Sequence, residues 1–220
     1  MADRNIIFDY DGTLHNCNII YAPAFRQAVG SLEEEGLLPH KDYTDQEISG
    51  WLGWSVKDMW EAFAPGLASD KVAKASKMIG DAMLLGVKEG RARLYPGVRE
   101  MLSTLKNDGC RLIFLSNCKN EYMTAHREQF ELDRWFDAFY CGEDYNWKAK
   151  HDIFNTISQE HPGKYIVIGD RFHDLEIARV HRLKSIGCGY GYGSMEELKT
   201  ADIVVEQPVD IVKAVKELGF

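Results

Sequence analysis

Asp9-Tyr10-Asp11-Gly12-Thr13 closes the apolar run Ile6-Ile7-Phe8 and sets two carboxylates where a buried strand meets a turn. Successive side chains of a strand point to opposite faces, so an extended Asp9 and Asp11 share a side and Tyr10 faces away. Two carboxylates about 4 Å apart repel by roughly 4 kcal/mol at an effective dielectric of about 20, so such a pair binds a cation, shares a proton, or does both. Gly12 permits a tight turn and close approach to a ligand, and Thr13 adds a hydroxyl. Alone, the pentapeptide is equally a strand ending in an Asp-Gly turn. Later segments add to it. Leu112-Ile113-Phe114-Leu115-Ser116-Asn117 reads as a buried parallel strand with a hydroxyl at its carboxyl end. Lys148 and Lys150 stand just before the helix-like stretch Asp152-Ile153-Phe154-Asn155-Thr156-Ile157. Tyr165-Ile166-Val167-Ile168-Gly169-Asp170 is a further strand running into an acidic turn, and a helical turn opened by Asp170 carries Asp174 on the same face.

The elements that position these groups follow from periodicity. The first motif and the Leu112 strand are separated by about 100 residues, far more than the dozen or so that a βαβ crossover needs. An insertion is therefore expected, and it reads as helical. Tyr21 to Glu35 carries Phe25, Ala28, Val29 and Leu32 at helical spacing, and Thr44-Asp45-Gln46-Glu47 is a capping box. Ser55 can cap Val56 to Phe63, and Ser69-Asp70 opens a long helix with Val72, Ala75, Ile79 and Met83 on one face. The inserted helical domain is placed at residues 15–93, and the core at 1–14 and 94–220. Tyr95-Pro96-Gly97 marks the return to the core. From there helices (Val98 to Asp108, Glu121 to Phe130, Lys150 to Gln159, Asp174 to Arg182) alternate with strands (Arg111 to Leu115, Ala138 to Cys141, Lys164 to Ile168, Ser185 to Cys188). This alternation predicts an α/β fold, a doubly wound, Rossmann-like parallel sheet. Such sheets bind ligands beyond the carboxyl ends of their strands, where Asp9, Ser116 and Asp170 all fall.

Taken in order, the four segments resemble the four motifs of the haloacid dehalogenase-like hydrolases. The resemblance continues through Leu94-Tyr95-Pro96-Gly97-Val98 and Gly189-Tyr190-Gly191-Tyr192-Gly193, covers essentially the whole chain, and is greatest for the phosphoglycolate-phosphatase-like branch. It implies a Mg²⁺-dependent phosphatase that hydrolyses a small soluble phosphate monoester, phosphoglycolate-like or a sugar phosphate. On that reading Asp9 is the nucleophile that forms an aspartyl-phosphate, and Asp11 is the general acid and base. Mg²⁺ suits hard oxygen ligands, and the resemblance implies Asp9, the backbone carbonyl of Asp11, and Asp170, with Asp174 nearby. Ser116 and the backbone N–H of Asn117 would hold phosphoryl oxygens beside Gly12, and the lysine would offset charge during transfer. Four carboxylates set against Mg²⁺ and one lysine leave a net negative charge before the substrate adds its own. A protonated Asp11 relieves that, and a general acid requires it. The inserted domain corresponds to the family's cap, whose specificity loop falls at Gly53-Trp54-Ser55.

The lysine admits two registers. Lys148 matches Lys-Pro-x-Pro forms of the motif, and Lys150 matches forms with the lysine three residues before the first apolar helix position. Ala149, rather than proline, follows Lys148, which favours Lys150. Other functions share parts of the pattern. A dehalogenase of this fold does not need the second carboxylate, and a phosphonoacetaldehyde hydrolase replaces it, so Asp11 argues against both. A phosphomutase shares every core motif. A catalytically silent regulatory or scaffold protein, or a receiver-like domain phosphorylated on Asp9, has no use for the full acidic set with Ser116 and a lysine.

Composition fits these expectations. The chain has 220 residues, 45% of them hydrophobic, enough for a sizeable core. The net charge of −8 disfavours a nucleic-acid groove. Five cysteines without a CxxC pair (Cys17, Cys110, Cys118, Cys141, Cys188) suit reduced thiols in a cytoplasmic protein and suggest no zinc site. No signal-peptide apolar region or membrane-length stretch occurs, so no membrane association is expected. The repeat Gly187-Cys188-Gly189-Tyr190-Gly191-Tyr192-Gly193 does not fit GxGxxG and lacks the Lys-Ser/Thr of a P-loop, so it reads as a flexible connection after the fifth strand. Trp51 and Trp60 read as core, His173 as a solvated neighbour of the site, Cys118 as a structural thiol, and Glu33-Glu34-Glu35 as a solvated helix face.

Overall fold

The computed structural model describes residues 3–220. It divides the chain into two compact units, Met1–Asn16 with Leu94–Phe220, and Cys17–Arg93. In the first unit, β1 (Arg4–Phe8), β2 (Arg111–Ser116), β3 (Phe136–Cys141), β4 (Lys164–Gly169), β5 (Lys184–Cys188) and β6 (Ile203–Val205) form one sheet in the order β3-β2-β1-β4-β5-β6. Every pairing is parallel. The fold is thus the doubly wound α/β sheet that the alternation predicts. The order reverses at β1, and a crevice opens beyond the carboxyl ends of the strands at such a switch point.

β1 occupies this position because Ile6, Ile7 and Phe8 are all at most 1% exposed, a run without alternation, as expected of a parallel strand covered on both faces. Each such side chain contributes roughly 1.5–3 kcal/mol of burial. Behind the sheet, Ile7, Ile113, Leu115 and Val167 pack with Ile153, Phe154 and Ile157 and with Ile177 and Ala178. Those partners lie on α7 (Lys150–Glu160) and α8 (Phe172–His181), the helices that begin at the acidic and lysine motifs. Beyond the five expected strands the chain adds β6, only three residues long and partly buried, too short to show a period.

Four helices make up the second unit: α1 (Asn18–Glu34), α2 (Asp45–Ser49), α3 (Val56–Phe63) and α4 (Ser69–Lys88). The expected caps are present. Thr44 and Glu47 form a capping box, and the Ser55 hydroxyl accepts from Asp58 N at 3.1 Å. Phe25 packs edge-on against Phe63 at 5.1 Å, and Trp60, 2% exposed, donates from Nε1 to Ser76 Oγ at 2.8 Å. The acidic run is not simply solvated, because Glu35 binds Lys71 and Lys74 at 2.5 and 2.7 Å and ties the end of α1 to α4.

The chain leaves the first unit after Asn16 and re-enters it at Leu94. There His15 and Leu94 form an antiparallel bridge, and Tyr95 N donates to Leu14 O at 2.9 Å. Among the described residues no helix is long and apolar enough to cross a membrane.

Candidate active site

β1 ends at Phe8, so a turn, rather than strand alternation, separates the two carboxylates of the first motif. Asp9 N still pairs with Ile168 O at 2.9 Å. The chain then reverses, and the Tyr10 carbonyl accepts from the N–H groups of Thr13, Leu14 and His15. Gly12 adopts φ +93°, and a Cβ there would run into the Asp170 carboxylate, so both the turn and the close approach require glycine. Asp9 and Asp11 consequently face different partners.

Asp9 looks onto Lys150. The Lys150 ammonium donates to Asp9 Oδ1 at 2.5 Å and to Asp174 Oδ1 at 2.7 Å, and Thr13 Oγ1 donates to Asp9 Oδ2 at 3.2 Å. Carboxylate oxygens of Asp9, Asp170 and Asp174 all lie within 4.8 Å of one another. Lys150 is 5% exposed at the start of α7, whereas Lys148 is exposed. Asp174 is bonded directly to the lysine and stands in the same cluster as Asp9 and Asp170.

Three buried carboxylates around one ammonium are not electrically balanced. Burial and then the Asp174 charge push the Asp9 carboxyl up to about 7 in spite of Lys150. Burial, with the charges of Asp9 and Asp174, pushes Asp170 up as well. Burial opposes the charge on Lys150, but Asp174 and Asp9 more than offset it and hold the ammonium protonated. The donor set therefore fits a hard divalent cation, which would take the place of protons on these carboxylates.

This arrangement has a measurable pH signature. With Asp9 near 7 in the folded chain and an unfolded carboxyl at about 3.9, folding retains a proton across that window. The stability this proton contributes is present below the unfolded value and is lost as pH rises through 7. A divalent cation held by this cluster, tested as Mg²⁺, should therefore raise the melting temperature more at about pH 8 than at about pH 5.5, as melts with the ion or with chelator at each pH would measure. Equal increments at both would mean that these carboxylates do not bind the ion.

The glycine-tyrosine repeat is not the flexible connection expected after β5. Tyr192 N donates to Asp170 Oδ2 at 2.8 Å, and the Tyr190 hydroxyl donates to Thr13 O at 2.7 Å. A Cβ on Gly191 would meet Asp170 Oδ2 and Gly12 O at 2.6 Å, and one on Gly193 would overlap Asp170 O. The repeat is therefore packed against Asp170, and its glycines provide the clearance.

Asp11 sits in a different environment. His15 Nδ1 lies 2.7 Å from Asp11 Oδ1, and the hydroxyl of Tyr122, on α6 (Asn120–Phe130), donates to the same oxygen at 3.1 Å. His15 stacks on Tyr10 and meets His126 edge-on at 4.5 Å, while the Tyr10 hydroxyl lies 2.7 Å from His126 Nδ1. Burial alone would raise the Asp11 carboxyl, but the hydrogen bonds from His15 and Tyr122 help to bring it below its usual value. These donors favour its anion, the form in which it can take a proton from water. His15 and His126 are fully buried, and the Nε2 of each has no hydrogen-bond partner. Burying such an atom costs about 1–3 kcal/mol, which an apolar side chain would avoid.

Ser116 ends β2, 3% exposed, with its carbonyl accepting from Gly142 N at 2.9 Å, and exposed Asn117 follows it. Cys118 is buried, which raises its thiol and leaves it unreactive. In the helical unit, Gly53 adopts φ +85°, Trp54 is 46% exposed and edge-on to Trp51, and the Ser55 hydroxyl is engaged as the cap of α3.

Residues 4–181 match the haloacid dehalogenase-like hydrolase family, and the chain belongs to it. The phosphoglycolate phosphatase of Nitrosococcus oceani is 23% identical over 216 residues, 94% of this chain and 93% of that protein. A 5′-nucleotidase of Pseudomonas aeruginosa is 31% identical over 208 residues, covering 89% and 86%. A haloacid dehalogenase-like family hydrolase from Streptococcus pneumoniae superposes with a TM-score of 0.81 at 23% identity, covering 97% of this chain and 98% of that one. The chain is a phosphatase, a phosphoric monoester hydrolase of the phosphoglycolate-phosphatase-like branch.

Proposed function

We propose that the protein hydrolyses a small phosphate monoester through an aspartyl-phosphate on Asp9, with Mg²⁺ as its cofactor. The observation that carries this reading is the Lys150 ammonium shared between Asp9 and Asp174, with Asp170 in the same cluster at the carboxyl ends of β1 and β4. Asp9, the backbone carbonyl of Asp11, and Asp170 would hold Mg²⁺, with Asp174 beside them, and the bound ion would neutralise charge on the transferring group.

The chain's own residues then have separate tasks. An Asp9 oxygen attacks phosphorus in line, and the bond from phosphorus to the leaving oxygen breaks. Asp11 gives a proton to that oxygen and later takes one from the water that attacks the aspartyl-phosphate, releasing inorganic phosphate and restoring Asp9. Ser116, the Asn117 N–H and the backbone at Gly12 hold the phosphoryl oxygens, and Lys150 offsets their charge. Residues 15–93 act as the cap, with Gly53-Trp54-Ser55, in which Trp54 is half exposed, as its specificity loop. The compartment is the cytoplasm.

Phosphate release from 4-nitrophenyl phosphate and from a panel of 2-phosphoglycolate, sugar phosphates and nucleoside monophosphates tests this reading. Turnover that requires Mg²⁺ and stops in chelator is expected, and turnover unaffected by chelator would overturn it. In the same panel Trp54→Ala should shift the ratio of kcat/KM for the best natural ester to that for the aryl ester. An unchanged ratio would make Trp54 a packing residue.

A further inference from the structure

We propose that His15 and Tyr122 are positioning residues for Asp11, holding its carboxylate by Oδ1 so that Oδ2 is the oxygen that exchanges protons with the leaving group and with water. The inference rests on the acid and base role given to Asp11 above. Three observations carry it. Both donors reach the same oxygen, His15 Nδ1 at 2.7 Å and the Tyr122 hydroxyl at 3.1 Å. They come from opposite directions in the chain, His15 from the turn that the Tyr10 carbonyl closes and Tyr122 from the first turn of α6, so the grip resists rotation of the carboxylate. Finally, the imidazole is costly where it stands. It is fully buried, stacked on Tyr10 and edge-on to His126, with Nε2 unpartnered, so an aromatic hydrocarbon would fill the space at lower cost. What that hydrocarbon lacks is the Nδ1 donor aimed at Asp11.

The chemistry suits this grip. In the first step the phosphorus–oxygen bond breaks, the departing oxygen keeps the electron pair, and the proton on Asp11 Oδ2 moves to it. In the second, a water proton returns to Oδ2 as the water oxygen bonds to phosphorus and the bond to Asp9 breaks. Oδ1 accepts from His15 and Tyr122 throughout, so neither donor has to be exchanged between the two half-reactions.

Leaving-group dependence tests the assignment. An alkoxide needs a proton to depart and a 4-nitrophenolate does not, and kcat/KM reports only events up to the first irreversible transfer. His15→Phe and Tyr122→Phe should each lose more kcat/KM for an alkyl phosphate than for 4-nitrophenyl phosphate. For His15→Phe the difference should be about tenfold, a fraction of the 10²–10⁴-fold typical of general acid–base catalysis. His15→Asn, which keeps a donor close to the Nδ1 position, should recover most of that difference. Equal losses on both esters in His15→Phe and Tyr122→Phe would overturn the proposal and leave the two residues as packing. Asp11→Asn separates this failure from a failure of the underlying reading. If it too lacks leaving-group dependence, the acid and base role falls and the positioning role with it. Tyr122→Phe removes a single oxygen and keeps the test decisive should His15→Phe fold poorly.

Discussion

Asp9→Asn abolishes hydrolysis of 4-nitrophenyl phosphate, by about 10⁴-fold or more, while the melting temperature in chelator holds or rises. The loss is large because an amide oxygen is a poor nucleophile and the acyl-phosphate cannot form, and deleting a covalent nucleophile removes a whole pathway rather than one contact. Stability follows different physics. Asp9 is one of three crowded carboxylates and is pushed up to about 7 by burial and by Asp174, so its ionised form is under electrostatic strain. Asn has the same shape without that charge, and Lys150 keeps Asp174 as a partner at 2.7 Å. Activity assays and thermal melts on the same preparation measure both. Residual turnover above about 1% of wild type would sink the covalent mechanism.

Lys150→Ala costs about 100- to 1,000-fold in turnover, and Lys148→Ala costs little. Removing one preorganised charge stabiliser from a transferring group has that magnitude in other enzymes. Lys150 is buried between Asp9 and Asp174, so its charge acts in a medium that screens weakly, whereas exposed Lys148 is screened by water. Lys150→Ala also leaves two buried carboxylates without their cation, and breaking a buried pair in this way costs about 3–5 kcal/mol unless they take up protons or Mg²⁺. The Mg²⁺-dependent gain in melting temperature should therefore be greater in Lys150→Ala than in wild type. The reverse order of activities for the two variants would return the motif to the Lys148 register.

The core was legible where local signals and topology agreed. Continuous apolar runs such as Ile6-Ile7-Phe8 and Tyr165-Ile166-Val167-Ile168 occur where strands are covered on both faces, and the acidic groups at their carboxyl ends were readable for the same reason. The caps Thr44 and Ser55 were visible because capping is a contact within three residues. The surroundings of Asp11 were not. His15 reaches Asp11 only because the Tyr10 carbonyl gathers three successive N–H groups, and Tyr122 does so from a helix 111 residues away. No period in a single sequence encodes either contact. Gly191 and Gly193 show the same limit, since glycine reads as flexibility when it is placed to clear Asp170, a neighbour brought in by β4. β6 was lost because three residues are too few to display alternation.

The bridge between His15 and Leu94 and the bond from Tyr95 N to Leu14 O fix the two broken ends of the core side by side. Closing a loop costs free energy that grows only with the logarithm of its length, by about 0.6 kcal/mol per doubling. With its ends already fastened, the core is nearly indifferent to how much chain is spliced between them. The helical unit can accordingly be shortened, lengthened or exchanged for another at little thermodynamic penalty, and the carboxylates of β1 and β4 keep their places when it is. The insert and the sheet are thereby free to diverge at different rates.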